Sequence, residues 1–153
     1  MLEKLPNNIQ DYIKNDGSPL LDGYIRFLDK QSSERIYEIV SKSAIWNDGI
    51  PFATTVFGDL LAWEDGYVML YKMSEEDYTV MLSGSAFFFD NLNDPEYQSD
   101  FLQLDLYAEA KSKLGEVKEN ECYVIEPIPR LGGAREVKYM SVGDLHSYLY
   151  LFV

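Results

Sequence analysis

Ile50-Pro51-Phe52-Ala53-Thr54-Thr55-Val56-Phe57-Gly58-Asp59-Leu60-Leu61-Ala62-Trp63-Glu64-Asp65-Gly66-Tyr67-Val68-Met69-Leu70-Tyr71-Lys72 is a run of strand-forming residues cut twice by an Asp beside a Gly. β-Branched and aromatic side chains fit a half-buried pleated surface, and Asp-Gly between two such runs is a strong hairpin signal. The run therefore folds into strands at 52–57, 60–63 and 67–72. The Ser74-Glu75-Glu76-Asp77 turn then leads to a further strand at 78–82. Such strands pair in sequence order, so the centre of the chain is an antiparallel meander.

Helical patterns flank the meander. Asn7 to Lys14 carries Ile9, Tyr12 and Ile13 on one side, and Tyr24 to Leu28 reads as a short strand. Gln31-Ser32-Ser33 offers caps for a helix to about Ser43, with Ile36, Tyr37, Ile39 and Val40 at helical spacing. After a short helix at 86–91, Pro95 and Glu96 open a long helix over 95–113 that Gly115 stops. Its apolar stripe is Tyr97, Phe101, Leu104 and Ala108. Leu102 and Leu106 fall in another sector flanked by Asp105 and Glu109. That pair is either buried beneath a second element or forms an apolar patch with an acidic rim. A strand at 122–127, the Pro129–Arg135 loop, extended chain at 137–140 and a final helix capped by Ser141 complete the pattern. In that helix Val142, Leu145, Leu149 and Phe152 share a face. Segregated runs of helix and strand give an α+β class, with helices packed on a central antiparallel sheet. No linker or repeat divides residues 1–153, so one domain is expected.

Composition bounds the function. The chain of 153 residues is 46% hydrophobic and 14% aromatic, with 12 tyrosines, which suits a packed globule with half-buried phenol rings. No apolar run reaches the roughly 20 residues of a membrane span, and the N-terminus lacks a basic start and apolar stretch. The cytoplasm is the expected compartment. One cysteine, Cys122, leaves no internal disulfide. The net charge is −13, which argues against direct contact with nucleic acid or anionic membrane. Thirteen acids but only one base, Lys72, fall between residues 43 and 110, so nearly all the excess charge is central. It is either a solvated face or a surface that steers a basic protein partner.

Chemistry is hard to find in the residues. The one histidine, His146, has no Ser or Cys nearby in sequence to activate, and one Cys with one His are too few for a zinc site. Asp48, Asp59 and Asp65 adjoin glycine, where carboxylates serve turns. No catalytic residue, metal or cofactor is expected. The one alternative is a small-anion site at Arg130, Gly132, Gly133 and Arg135, where glycine-freed N–H groups and two guanidiniums would hold a phosphate or carboxylate. The plainer reading of the same loop is a tight turn feeding a strand.

Two stretches carry a family resemblance. One is Pro51-Phe52 through Phe57-Gly58-Asp59-Leu60 to Trp63. The other runs from Leu114-Gly115-Glu116-Val117 through Glu121-Cys122-Tyr123 and Pro127 to Pro129-Arg130-Leu131-Gly132-Gly133 and the helix with His146. In this order they resemble bacterial immunity proteins with a GAD-like N-terminal part and a C-terminal immunity domain, whose best-known members protect against type VI secretion DNase effectors. The resemblance implies a GAD-like part at about 6–85 and an immunity-type part at about 86–153, packed as one unit. It also implies a non-enzymatic antitoxin that neutralises a cognate toxin, nuclease or otherwise, by stoichiometric binding. The charge pattern suggests a basic toxin. Glu75, Glu76, Asp77, Leu102, Asp105, Leu106 and Glu109 are the candidate partner-binding residues.

Overall fold

The computed structural model describes residues 1–153 and shows an α+β fold. Strands β1 (Ile25–Phe27), β2 (Ile50–Thr55), β3 (Leu60–Glu64), β4 (Tyr67–Lys72) and β5 (Asp77–Ser83) form one antiparallel sheet in sequence order. The Asp-Gly turn is as the sequence requires: Asp65 and Gly66 have φ of 50° and 85°, the positive values of the favoured two-residue hairpin turn. A second antiparallel pair, β6 (Glu121–Ile125) with β7 (Met140–Asp144), joins the first where the Tyr123 N–H donates to Val56 O at 2.8 Å.

Helices cover both faces of the large sheet. On one face Leu60, Ala62, Met69 and Tyr71 pack with Ile36, Ile39 and Val40 of α2 (Lys30–Val40), with Trp46, and with Leu145 and Leu149 of α6 (Leu145–Tyr150). On the other, Phe52, Leu61, Val68, Leu70 and Met81 meet Ile9 of α1 (Asn7–Asn15), Phe88 and Leu92 of α3 (Phe88–Leu92), and Tyr107 and Ala110 of α5 (Leu104–Leu114). Burial at this density is the main stabilising term, at about 25 cal/mol per Å² of apolar surface. Trp63 is only partly buried, and the core tryptophan is Trp46, whose ring lies 4.5 Å from that of Tyr71. No helix is long and apolar enough to cross a membrane.

Three local expectations need correction. The single helix over 95–113 is two helices, α4 (Pro95–Phe101) and α5, because Leu102 and Gln103 leave helical geometry (φ/ψ −120°/159° and −122°/61°). The break turns Leu102 into the core, and the freed Gln103 N–H donates to the Tyr24 hydroxyl at 3.1 Å. Beyond it the buried face is Tyr107 and Ala110, while Ala108 is exposed. Second, Ser141 lies within β7 and caps nothing. The last helix starts later, with the Asp144 carboxylate accepting from Ser147 N–H at 2.8 Å. Third, α2 is capped by Asp29, and Ser33 is instead buried, donating to Pro51 O at 2.6 Å.

Cys122 and His146 are both buried against the α2–α6 side of the sheet. Burial, and then the charge of Asp59, pushes the Cys122 thiol up to about 12. Since the thiolate is the reactive form, a thiol reagent at pH 8 is expected to leave the native protein unmodified and to label it fully in denaturant. Rapid labelling of the native protein, followed by mass spectrometry, would contradict that burial. Burial, with Arg35 nearby, also holds His146 below its ordinary value, so the ring packs as a neutral group.

Candidate protein-interaction surface

The acidic turn and the arginine loop, read from sequence as rival sites, lie against each other. Residues 73–75 form a 3-10 turn whose next residue, Glu76, is left-handed (φ 52°). Residues 129–131 form another, ended by Gly132 at φ 106°, and the two turns pack together. Arg130 Nη1 reaches Glu76 Oε1 at 3.4 Å across solvent, a pair worth about 0–1 kcal/mol.

Arg135 is different, because it is buried. Its guanidinium forks onto Asp59, with Nη1 2.9 Å from Oδ2 and Nη2 on Oδ1. Nη1 also donates to Gln103 Oε1 at 2.9 Å. Nε stands 3.0 Å from Glu75 Oε1, an ionic approach without hydrogen-bond alignment, and the cation lies over the Phe57 ring. The side chains of Arg135 and Asp59 are only 7% and 4% exposed. Burial works against the charge on Arg135, yet Asp59 and then Glu75 more than offset it and hold the group protonated. Burial also raises the Tyr24 phenol, with the Asp59 carboxylate adding to the effect.

This geometry does not favour the small-anion alternative. The Arg135 guanidinium is turned inward, with Nη1 and Nη2 donating to Asp59 and Gln103. The N–H groups of Gly132 and Gly133 donate to Pro129 O at 3.1 Å and Ile128 O at 3.2 Å. Of the two guanidiniums, only that of Arg130 remains at the surface. The loop is therefore a tight turn that delivers Arg135 to Asp59.

The expected partner-binding residues do not form one patch. Glu75 and Glu76 are partly neutralised by the two arginines, whereas the Asp77 carboxylate is exposed and accepts the Tyr78 N–H at 2.9 Å. Leu102 is 5% exposed, so it belongs to the core and is removed from any docking surface. Leu106 is partly buried against the same cluster. Asp105 and Glu109 are exposed on α5, the latter paired with Lys113 at 3.0 Å. Helix α5 packs on the 137–139 turn and β7, while the acidic turn packs on β5 and the 129–131 turn.

Two apolar features beside the acidic turn escaped the sequence reading. Along β5 the four residues Asp77, Tyr78, Thr79 and Val80 are all exposed, Tyr78 and Val80 at 45% and 49%. On the far side of the 129–131 turn, Val124, Ile128, Leu131 and Leu151 line a groove between β6 and α6, with Glu126 and Asp144 on its rim. Leu131 is 71% exposed. The signal for the first was present: the last strand of a meander is an edge, and its apolar residues have no neighbour on one side.

Residues 83–153 match the family model described as T6SS immunity protein Tdi1, C-terminal. The match begins at the end of β5 and takes in α3 to α6 and the β6–β7 pair. Residues 1–82, including the part read as GAD-like, lie outside it. No curated protein sequence matches the chain. Among solved structures, the crystal structure of Atu4351 from Agrobacterium tumefaciens superposes with a TM-score of 0.66 at 18% identity, covering 96% of this chain and 74% of that one. A likeness at that identity is one of fold.

Proposed function

We propose that the chain is an immunity protein that binds a cognate bacterial toxin, a nuclease being the chemistry best suited to its charge, and blocks it stoichiometrically. The observation that carries this reading is the match of residues 83–153 to a type VI immunity domain. The concentration of acids in the middle of the chain supports it, because an enzyme that acts on phosphate backbones presents a basic surface. Residues 1–82, which that match does not cover, supply most of the five-stranded sheet and the acidic turn. The burial of both His146 and Cys122 fits inhibition by contact better than nucleophilic chemistry.

The direct test is co-expression with the product of the adjacent open reading frame, followed by affinity capture, native mass spectrometry and a growth assay. A one-to-one complex with rescue from that product's toxicity is the expected result. A non-toxic neighbour that forms no complex defeats the reading.

The geometry also sharpens the test of steering. Glu75 should be left in place, since it stands against buried Arg135. A Glu76→Lys/Asp77→Lys variant is expected to slow association by about tenfold at low ionic strength and to flatten its salt dependence, with little change in dissociation. Stopped-flow rates equal to wild type would remove the acidic turn from the steering surface. Asp105→Lys, on the separate α5 surface, asks the same of that patch.

A further inference from the structure

The two edges of the large sheet are treated differently. At one, β1 is three residues long, Leu20 bridges Ile25, and Arg26 donates to Lys118 O at 2.6 Å and to Val117 O. That edge is closed. At the other, β5 is seven residues long and ends the sheet. Its register with β4 shifts between Val68 and Met69, which leaves Met81 unpaired as a bulge. The Tyr97 hydroxyl of α4 then donates to Met81 O at 2.5 Å, so the edge is covered at Met81. Asp77 to Val80 are not.

The uncovered segment is poised for pairing. The Tyr78 N–H bonds the Asp77 carboxylate, so it points away from β4. The stacking of the Tyr78 ring on Tyr71, its register partner, fits the close side-chain approach of a pair that shares no ladder bonds. With a period of two, the Val80 N–H also points outward. Tyr78 and Val80 lie on one face, opposite Tyr71 and Met69, beside the half-exposed Tyr67. Natural edges are commonly blunted by Lys, Pro or a buried charge, and Tyr78-Thr79-Val80 carries none of these.

We infer that the cognate toxin docks by adding a strand to Asp77–Val80, and this inference rests on the immunity reading above. The segment it fits is extended and basic, with Lys or Arg opposite Asp77 and a β-branched or aromatic residue against Tyr78 and Val80. Main-chain bonds along the edge supply affinity, and the flanking acids select the partner. Charge decides between this occupant and a second copy of the chain. Edge-to-edge pairing of two copies would bring together two molecules of net charge −13, each with 13 acids and one base in residues 43–110, the stretch that contains β5.

The test is amide hydrogen exchange of the full-length protein, alone and with the purified product of the adjacent open reading frame. Binding is then measured for Val80→Pro and Val80→Thr. Pro removes the outward N–H without touching the β4 ladder, whereas Thr keeps it. The expected result is slowed exchange at Tyr78 and Val80 in the complex. Val80→Pro should weaken binding by about 30-fold, and Val80→Thr by no more than about threefold. If Val80→Pro fails to fold, the wild-type exchange pattern alone decides. A tight complex in which residues 77–80 exchange as in the free protein overturns strand addition and leaves the immunity reading standing. A free protein already dimeric and protected at 78 and 80 assigns the edge to a second copy and overturns the inference. Failure to bind at all overturns both.

Discussion

Arg135→Met lowers the unfolding free energy by about 3–5 kcal/mol, read from urea denaturation at neutral pH. Asp59→Asn does nearly the same, because either change leaves one half of a buried pair without its counter-charge. The side chains are 7% and 4% exposed, and water cannot replace the lost partner. Asp59→Leu combined with Arg135→Met is expected to recover much of the loss, since two apolar groups of similar size carry no desolvation penalty. Gln103 and Glu75 limit the recovery, as both lose their contact to the guanidinium. A single replacement costing less than about 1 kcal/mol would mean that the pair is solvated in solution.

The two glycines that follow Leu131 are expected to separate sharply. A Cβ on Gly133 would lie 1.7 Å from the Pro127 carbonyl oxygen and 2.9 Å from a methyl of Ile125, so backbone has to move. Gly132 has a φ of +106° and nothing within 4 Å of a built Cβ, so its substitution meets only local backbone strain. Gly133→Ala is therefore expected to cost about 3 kcal/mol and Gly132→Ala about 1 kcal/mol. For a chain of this size these correspond to falls in melting temperature of about 6–12 °C and about 2–4 °C. Equal shifts in a thermal melt would show that the loop relaxes around Gly133 at no cost. Its position beside Pro127 also puts Gly133 next to the wall of the Leu131–Leu151 groove, so the packing that fixes this loop shapes a surface too.

The meander was legible because its signals are local. Asp65-Gly66 accepts two positive φ values, and the strands on either side differ little from the residues that favour them. The break at Leu102 was not, for neither Leu102 nor Gln103 is a helix breaker. It is imposed from outside, by the core that takes Leu102 and by the Tyr24 hydroxyl and Arg135 that take Gln103. The Asp59–Arg135 pair was hidden in the same way, since its partners are 76 residues apart. One clue stood in plain sequence. An aspartate inside Val56-Phe57-Gly58-Asp59-Leu60-Leu61 is carried into the interior by its neighbours and has to find a cation there. The acidic turn was correctly seen as a turn, but its neutralisation by Arg130 and Arg135 depends on a packing of two loops that no local pattern announces.

The Asp59–Arg135 pair also limits how such a gene can change by recombination. Its anion comes from the chain before residue 83 and its cation from the stretch that matches the immunity family. An exchange that brought in a new version of residues 83–153 would set Arg135 against whatever the recipient carries at position 59. Unless that residue were acidic, the hybrid would inherit a buried charge with no partner. On the immunity reading proposed above, new specificities would then arise more readily by substitution on exposed positions such as Tyr78, Val80 and Leu131, or by transfer of the whole reading frame, than by trading halves.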